Sequence, residues 1–184
     1  MTTTTNPTRI VTGEVRLSYA HVWEPNSIQG GKPKYSVSLI IPKSDTATIA
    51  AIEKAIDAAT DAGTAKLGGK RPNKAALKLP LRDGDIGRDD EAYKGAYFLN
   101  ANSLTAPQIV DQSVAPILDR AEVYSGCYAR VSLSFYAFNT NGNRGIACGL
   151  GNIHKTRDGE SLGGERVSAE TDFGAFAAYA DFLN

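Results

Sequence analysis

The residues best suited to chemistry lie on one predicted strand, Gly126–Asn139. Its even positions carry three aromatic residues, one arginine and two serines: Tyr128, Arg130, Ser132, Ser134, Tyr136 and Phe138. Aromatic rings can stack on the bases of single-stranded nucleic acid, and arginine can pair with its phosphates. The same composition also suits a second buried face, in which a tail or another subunit covers the sheet. Composition alone therefore leaves a nucleic-acid surface and a protein interface open.

The sequence lacks the residue sets that catalysis and metal binding require. Its two histidines are His21 and His154, and Cys148 lies near His154 without further ligands at metal-binding spacing. The acidic residues between positions 83 and 91 have neither EF-hand spacing nor a phosphate-binding loop beside them. A nucleophile elbow of the Gly-x-Ser-x-Gly type is also missing. We therefore expect no enzyme activity, no bound metal and no cofactor.

Charge is distributed unevenly along a chain whose formal net charge is zero. Residues 1–157 contain 19 Lys and Arg against 14 Asp and Glu, which gives this part a net charge of +5. Residues 158–184 contain one Arg and six acidic residues, a net charge of −5. This asymmetry indicates a basic body followed by an acidic tail.

A basic run without acidic residues lies inside the body. It consists of Lys66, Lys70, Arg71, Lys74, Lys78 and Arg82. Such a run can guide phosphate groups by electrostatic attraction. A solvated surface loop accounts for it equally well.

Several further residues are candidates at strand ends. Trp23 can stack on a base or fill the edge of the core, and we place Tyr19 at the core edge. Lys155 would extend a phosphate track at the end of the strand Arg144–His154. That strand contains three glycines, at positions 145, 149 and 151, which either let a ligand approach closely or mark a bulge.

Hydrophobic periodicity predicts a mainly β chain with one main helix. The predicted strands are Ile10–Tyr19, Tyr35–Ile41, Tyr97–Asn100, Gln108–Asp111, Gly126–Asn139 and Arg144–His154. A helix is predicted over Thr46–Ala62, with Ser44 or Asp45 as N-cap and Gly63 after its last turn. Asn141-Gly142 suits the positive φ angles of a hairpin turn. Glu24–Lys32 and residues 64–92 are predicted to be loops.

Alternation also predicts which face of the longest strand meets the core. Within Gly126–Asn139, the odd positions from Cys127 to Ala137 are all apolar and should point inward. Cys127 and Cys148 lie in such apolar patterns, which indicates free, buried thiols in a reducing compartment. The N-terminus lacks a secretory signal, and no apolar run reaches the length of a membrane span. We expect no contact with a membrane.

The last residues combine acidic and aromatic side chains. Among them are Glu170, Asp172, Phe173, Asp181 and Phe182. An acidic segment near a basic groove can compete with DNA for that groove, and its aromatic rings can occupy stacking sites. A terminal helix packed on the core is the alternative, because the alanines of this segment favour a helix.

Three blocks of sequence resemble a bacteriophage family. They are residues 34–43, residues 97–102 and the block from Tyr124 to Asn152. The family was long catalogued as a phage domain of unknown function and is now associated with single-stranded DNA-binding proteins of the OB-fold kind. The resemblance extends over roughly residues 9–173.

The resemblance implies an OB-like β-barrel at residues 9–157, after a flexible N-terminus at residues 1–8 and before an acidic, aromatic tail at residues 158–184. It also implies a protein that coats single-stranded DNA during phage DNA replication or recombination in the host cytoplasm. By the same resemblance, the tail engages phage replication or recombination proteins and shields the groove. The chain ends in Leu183-Asn184 rather than in acidic residues followed by Phe, and this departure bears on partner recruitment through the last residue.

We therefore predict sequence-tolerant binding of single-stranded DNA through base stacking and phosphate contacts. Tyr128, Arg130, Tyr136 and Phe138 are the first expected contacts. The alternative is a phage structural or assembly protein that uses the aromatic face as a protein interface, and a metal-dependent nuclease is a third. The sequence leaves open whether the chain forms a homodimer.

Overall fold

The computed structural model describes residues 6–27 and 30–162 of the 184-residue chain. Within these residues the chain forms eight strands and two α-helices. In chain order they are β1 (Arg9–Val11), β2 (Val15–Asn26), β3 (Lys34–Pro42), α1 (Thr46–Ala62), β4 (Arg82–Asp83), α2 (Gly84–Gly87), β5 (Ala96–Ser103), β6 (Ile109–Val110), β7 (Tyr128–Thr140) and β8 (Asn143–Arg157).

Five strands close into a ring in the order β2, β3, β5, β8 and β7. Neighbouring strands are antiparallel except β5 and β8, which meet in parallel at Asn102 and Gly149. The short strand β1 adds to β7, and β6 adds to β8. This closed, mainly β arrangement confirms the predicted OB-like fold.

The core fills the inside of the ring. As predicted, the odd positions of β7 from Ala129 to Ala137 are buried; Val131 and Leu133, for example, are fully shielded from solvent. Cys127 and Cys148 are free and buried, and burial raises the pKa of both thiols. These thiols therefore behave as small apolar side chains of the core.

Helix α1 has the predicted bounds. Asp45 caps its N-terminus by accepting a hydrogen bond from the backbone N–H of Thr48 at 3.2 Å. Its buried stripe, which includes Ile52 and Ile56, packs against β7 with smaller contacts to β1 and β8. None of the described helices is long and apolar enough to cross a bilayer.

The predicted strand Ile10–Tyr19 is wrong as a single element. The strand is interrupted at residues 12–14, between β1 and β2. There the buried Thr12 hydroxyl accepts a hydrogen bond from the backbone N–H of Val131 at 3.0 Å. The backbone N–H of Gly13 then donates to Thr48 on α1 at 2.9 Å. Strand β2 also continues to Asn26, beyond the predicted start of the loop at Glu24.

The other predicted elements differ mainly in length. The strand predicted at Tyr97–Asn100 extends over the whole of β5, and β8 continues past His154 to Arg157. Asn141 and Gly142 adopt φ angles of 52° and 87°, which confirms the predicted hairpin turn. The stretch predicted as a loop at residues 64–92 contains β4, α2 and short 3₁₀ turns.

Candidate nucleic-acid interface

A polar row crosses the outer face of the ring, on the side away from the core. His21 pairs with Ser36, Ser36 with Asn102, Asn102 with Gly149, and Gly149 with Ser134. The row therefore crosses all five ring strands. Four strand spacings give it a length of about 19 Å along the curved outer surface. Its members are small or polar, so no bulky side chain interrupts it.

A cleft of about 570 Å³ covers the part of this row on β2, β3 and β5. Its walls carry basic, hydroxyl and amide side chains and one exposed aromatic ring. The lining residues are Tyr19, His21, Asn26, Gly31, Lys32, Lys34, Ser36, Val37, Ser38, Arg88, Asn100, Ala101 and Asn102.

The cleft follows from alternation in β3 and β5. Val37 and Leu39 point into the core, so Ser36 and Ser38, which alternate with them along β3, point outward. On β5, buried Ala101 likewise leaves Asn102 on the outer face. Small polar groups at these positions form a floor on which a flat, hydrogen-bonding ligand can lie.

A second apolar cluster closes one end of the outer face. Ile40 on β3 and Phe98 on β5 are covered by Tyr93, whose ring meets that of Phe98 edge-to-face with 5.2 Å between centroids. The buried Tyr93 hydroxyl forms a 3.0 Å hydrogen bond with Ser38 in the floor of the cleft. The segment containing Tyr93 therefore forms one wall of the cleft.

Lys43 holds this wall in place. Its ammonium group lies 2.7 Å from Asp85 and 2.9 Å from Asp83. Its hydrogen bonds lower the pKa of both carboxyl groups, and the pKa of Lys43 itself is raised. Asp85 also accepts a hydrogen bond from the backbone of Gly95 at 2.9 Å. The ion pairs hold one end of the segment that carries Arg88, and the hydrogen bond from Gly95 holds its other end to Asp85.

Arg88 and Tyr19 meet at the rim of the cleft. The Arg88 guanidinium lies 4.9 Å from the ring centre of Tyr19, 4.8 Å from that of Tyr93 and 5.3 Å from that of Phe98. Tyr19 is 54% exposed, so its predicted place at the edge of the core is wrong. The register of β2 against β3 shifts between Ser18 and His21, which turns Tyr19 outward.

The predicted contacts on β7 fall into two groups. Tyr136 is 47% exposed, and Phe138 lies half-buried beside Gly145. The ring of Tyr128 is enclosed by Arg16 at 5.6 Å and Arg157 at 3.6 Å. Arg130 is exposed, and its Nε donates to the carbonyl of Thr12 at 3.1 Å. Of this set, the structure brings Tyr136 closest to the polar row.

The three glycines of β8 serve two purposes. A Cβ at Gly145 would lie 2.3 Å from the carbonyl oxygen of Lys78, and one at Gly151 would lie 2.2 Å from the hydroxyl of Ser132. Those two positions therefore let another part of the chain approach. A Cβ at Gly149 would meet nothing nearer than 3.4 Å, so this glycine leaves open surface in the row, next to the ring of Tyr136.

The predicted basic residues differ in their surroundings. Arg71 pairs with Asp61 at 2.7 Å, and Lys74 pairs with Asp57, so both bind the loop to α1. Lys66, Lys70 and Lys78 are exposed. Lys66 lines a further cavity of about 600 Å³ together with Tyr136, Phe138 and the hairpin turn. Lys66 thus lies near Tyr136, while Arg82 at the end of the run lines another cavity together with Tyr19 and Arg88.

Trp23 and Lys155 are held within the body. The indole Nε1 of Trp23 donates to the carbonyl of Val123 at 3.0 Å, and the side chain packs against the core. The Lys155 side chain is 15% exposed and pairs with Asp158 at 2.6 Å. The tail candidates Glu170, Asp172, Phe173, Asp181 and Phe182 lie outside the described residues.

Sequence reasoning missed most of the cleft. Its cationic and floor residues Lys32, Lys34, Ser36, Asn100 and Asn102 were not among the predicted contacts, and neither was Arg88. The signal available was the alternation of Lys34, Ser36 and Ser38 with apolar residues. Within the described residues no group of three His, Cys, Asp or Glu side chains is placed to hold a metal ion.

A closed OB-like ring with a cationic cleft across its outer face defines an oligonucleotide-binding class of protein. The chain belongs to the Enterobacter phage Enc34 ssDNA-binding protein family, whose sequence profile matches residues 8–183.

Individual proteins and solved structures are also similar to this chain. Protein p50 of Acyrthosiphon pisum secondary endosymbiont phage 1 is 29% identical over an alignment of 178 positions that covers 90% of this chain and 92% of that protein. The single-stranded DNA-binding protein from bacteriophage Enc34, solved in complex with ssDNA, is 24% identical with a TM-score of 0.74, covering 85% of this chain and 90% of that one. The bacteriophage T7 single-stranded DNA-binding protein gp2.5 shares 16% identity at a TM-score of 0.59, covering 91% and 93%.

Proposed function

We propose that this protein binds single-stranded DNA in a sequence-tolerant way and acts in phage DNA replication or recombination in the host cytoplasm, without catalysing a reaction. The observation that carries the proposal is the polar row from His21 to Ser134, whose part on β2, β3 and β5 lies beneath a cationic cleft. Family membership supports the same ligand, because the solved relative from phage Enc34 is a complex with ssDNA.

The strand enters at the cationic side of the cleft and crosses the row. Lys32 and Lys34 neutralise phosphates, and counterions released from the DNA favour binding. Ser36 and Asn102 offer hydrogen bonds without selecting one base. The strand then passes over Gly149, where no side chain stands in its way, to Tyr136 and Lys66.

The predicted contacts on β7 contribute unequally to this path. Tyr136 and Phe138 lie at the far end of this path. Arg130 is exposed on the same outer face of β7, on the opposite side of Ser134. Tyr128 and Lys155 are enclosed by neighbouring groups, so they bind DNA only if residues 157–160 move away. Trp23 packs against the core and donates to the carbonyl of Val123, rather than stacking on a base.

We place regulation in residues 158–184. The start of this segment runs back over the body: Arg16 donates to the carbonyl of Glu160 at 2.6 Å, and Leu162 donates to that of Ser125 at 2.8 Å. Leu162 packs against the outer apolar cluster of Ile40, Tyr93, Ala96 and Phe98. Residues 163–184, which follow Leu162 in the sequence, carry a net charge of −3 and can compete with DNA for the cleft. Its acidic and aromatic residues also suit contacts with phage replication or recombination proteins.

A titration tests the proposal. A labelled, unstructured oligonucleotide of about 20 nucleotides is titrated with the full chain at low salt, beside a duplex of the same sequence. We expect saturable binding of the single strand, quenching of tyrosine fluorescence and a Kd that rises steeply with salt. An absence of binding at low salt would contradict the proposal and favour a structural or assembly role.

A further inference from the structure

Tyr19 occupies a backbone conformation that costs free energy. Its φ angle is +45°, in the left-handed region that aromatic side chains rarely enter. The register shift in β2 between Ser18 and His21 imposes this conformation. Strain of this kind persists where the surrounding structure enforces it, and it concentrates at functional sites.

The strained residue exposes its side chain instead of burying it. More than half of the Tyr19 side chain is open to solvent, although a ring of this size would gain stability from burial. The ring lines both the cleft and a smaller neighbouring cavity of about 380 Å³. Strain combined with exposure is unfavourable for folding, so a contact with a ligand is the more economical explanation.

Arg88 is fixed on the inner side of the Tyr19 ring. Its guanidinium rests on Tyr93 and Phe98, which are themselves buried and packed edge-to-face. Asp89 and Asp90 follow Arg88 in the chain, but Arg88 forms no ion pair with any carboxylate in the described part of the chain. An immobilised, half-exposed guanidinium without a carboxylate partner is suited to a phosphate group.

We propose that Tyr19 and Arg88 together hold one nucleotide of the single strand, with its base stacked on the free face of Tyr19 and its phosphate on Arg88. This inference rests on the proposed function and adds a defined subsite to it. The cation beneath the ring fixes the orientation of Tyr19 before DNA arrives, so little side-chain freedom is lost on binding. The strain at Tyr19 is then the cost of presenting a preformed stacking surface.

Three substitutions at position 19 separate stability from binding. Tyr19→Gly removes the ring and relieves the positive φ, so its Tm should equal or exceed that of the wild type. Its affinity for a single-stranded oligonucleotide should fall at least about fivefold. Tyr19→Asn tolerates the same backbone without a ring and should bind as weakly as Tyr19→Gly. Tyr19→Phe keeps the ring and should bind within about twofold of the wild type.

Arg88→Gln should weaken binding and lower the slope of log Kd against log salt by about 0.7, the value for one phosphate on a single strand. Tyr19→Gly should leave that slope unchanged. Wild-type affinity in both Tyr19→Gly and Tyr19→Asn would overturn the subsite, as would an unchanged slope in Arg88→Gln. Absence of oligonucleotide binding by the wild type would instead overturn the proposed function, so the two failures are distinguishable.

Discussion

Within the described residues, β5 and β8 are joined by a single parallel bridge, between Asn102 on β5 and Gly149 on β8. The bridge brings the floor of the cleft, which ends at Asn102, against the part of the sheet that carries Tyr136. Because Gly149 has no side chain, the outer surface continues across the junction. The proposed DNA path depends on this continuity.

A side chain at position 149 should block the path. Gly149→Ala has room for its Cβ and should fold and bind much as the wild type does. Gly149→Leu places a branched side chain over the row, and we expect affinity for a 20-nucleotide strand to fall about tenfold. Fluorescence anisotropy measures the affinity, and thermal melting verifies that the variant is folded. Equal affinities for the alanine and leucine variants would show that DNA does not cross Gly149.

Tyr136 should contribute a stacking contact. Tyr136→Ala removes a 47% exposed ring at the far end of the row, so we expect a loss of about 1–3 kcal/mol in binding free energy. The salt dependence should not change, since no charge is removed. Leu118→Ala is the matched control, because Leu118 is 89% exposed on a different part of the surface. The prediction fails if both substitutions change the affinity equally.

Lys32 and Lys34 should each contribute one phosphate contact. Changing each lysine to glutamine should lower the slope of log Kd against log salt by about 0.7. Lys54→Gln removes the same charge from the exposed surface of α1 and serves as the control. A slope change as large in the control would mean that overall charge, rather than the cleft, attracts the DNA.

The ion pairs of Lys43 should make the wall of the cleft sensitive to acid. Hydrogen bonds from Lys43 lower the pKa of Asp83 and Asp85 below the ordinary value, so the pairs stabilise the fold fully above about pH 4. Their contribution is lost as the pH falls below that value through the lowered pKa of the folded state. Lys43→Gln should therefore lower Tm at pH 7, and the difference from the wild type should shrink between about pH 4 and pH 2. A Tm difference that stays constant down to pH 2 would refute this account.

Removal of the tail should tighten binding. A chain that ends at Leu162 keeps the contacts of residues 158–162 with the body but lacks most of the acidic segment. If that segment competes with DNA, the affinity of the shortened chain for a single strand should rise, most strongly at low salt. Competition titrations with the full and shortened chains measure the effect. Equal affinities would show that the tail does not compete with DNA, and the other predictions would be unaffected.

The parts of the fold that local patterns determine were predictable from the sequence. Helix α1 has an Asp45 cap and an apolar stripe, and the turn at Asn141-Gly142 has residues that accept positive φ. The inward face of β7 followed from simple alternation. Each of these features depends on residues that are close together in the chain.

The parts of the site that depend on distant pairing were not predictable. The Tyr19 bulge occurs at a tyrosine, where no glycine marks the positive φ. The covering of Tyr128 depends on Arg16 from β2 and Arg157 from the end of β8. The polar row exists only once five strands adopt their register, so Ser36, Asn102 and Gly149 appear unrelated in the sequence.

Photochemical crosslinking tests the central claim most directly. A single-stranded oligonucleotide with a photoreactive halogenated uracil is bound at low salt and irradiated, and the crosslinked residues are identified by mass spectrometry. We expect crosslinks at Tyr19 and Tyr136, which lie close to the two opposite ends of the polar row. Efficient crosslinking confined to other surfaces, such as α1 or residues 104–120, would contradict it.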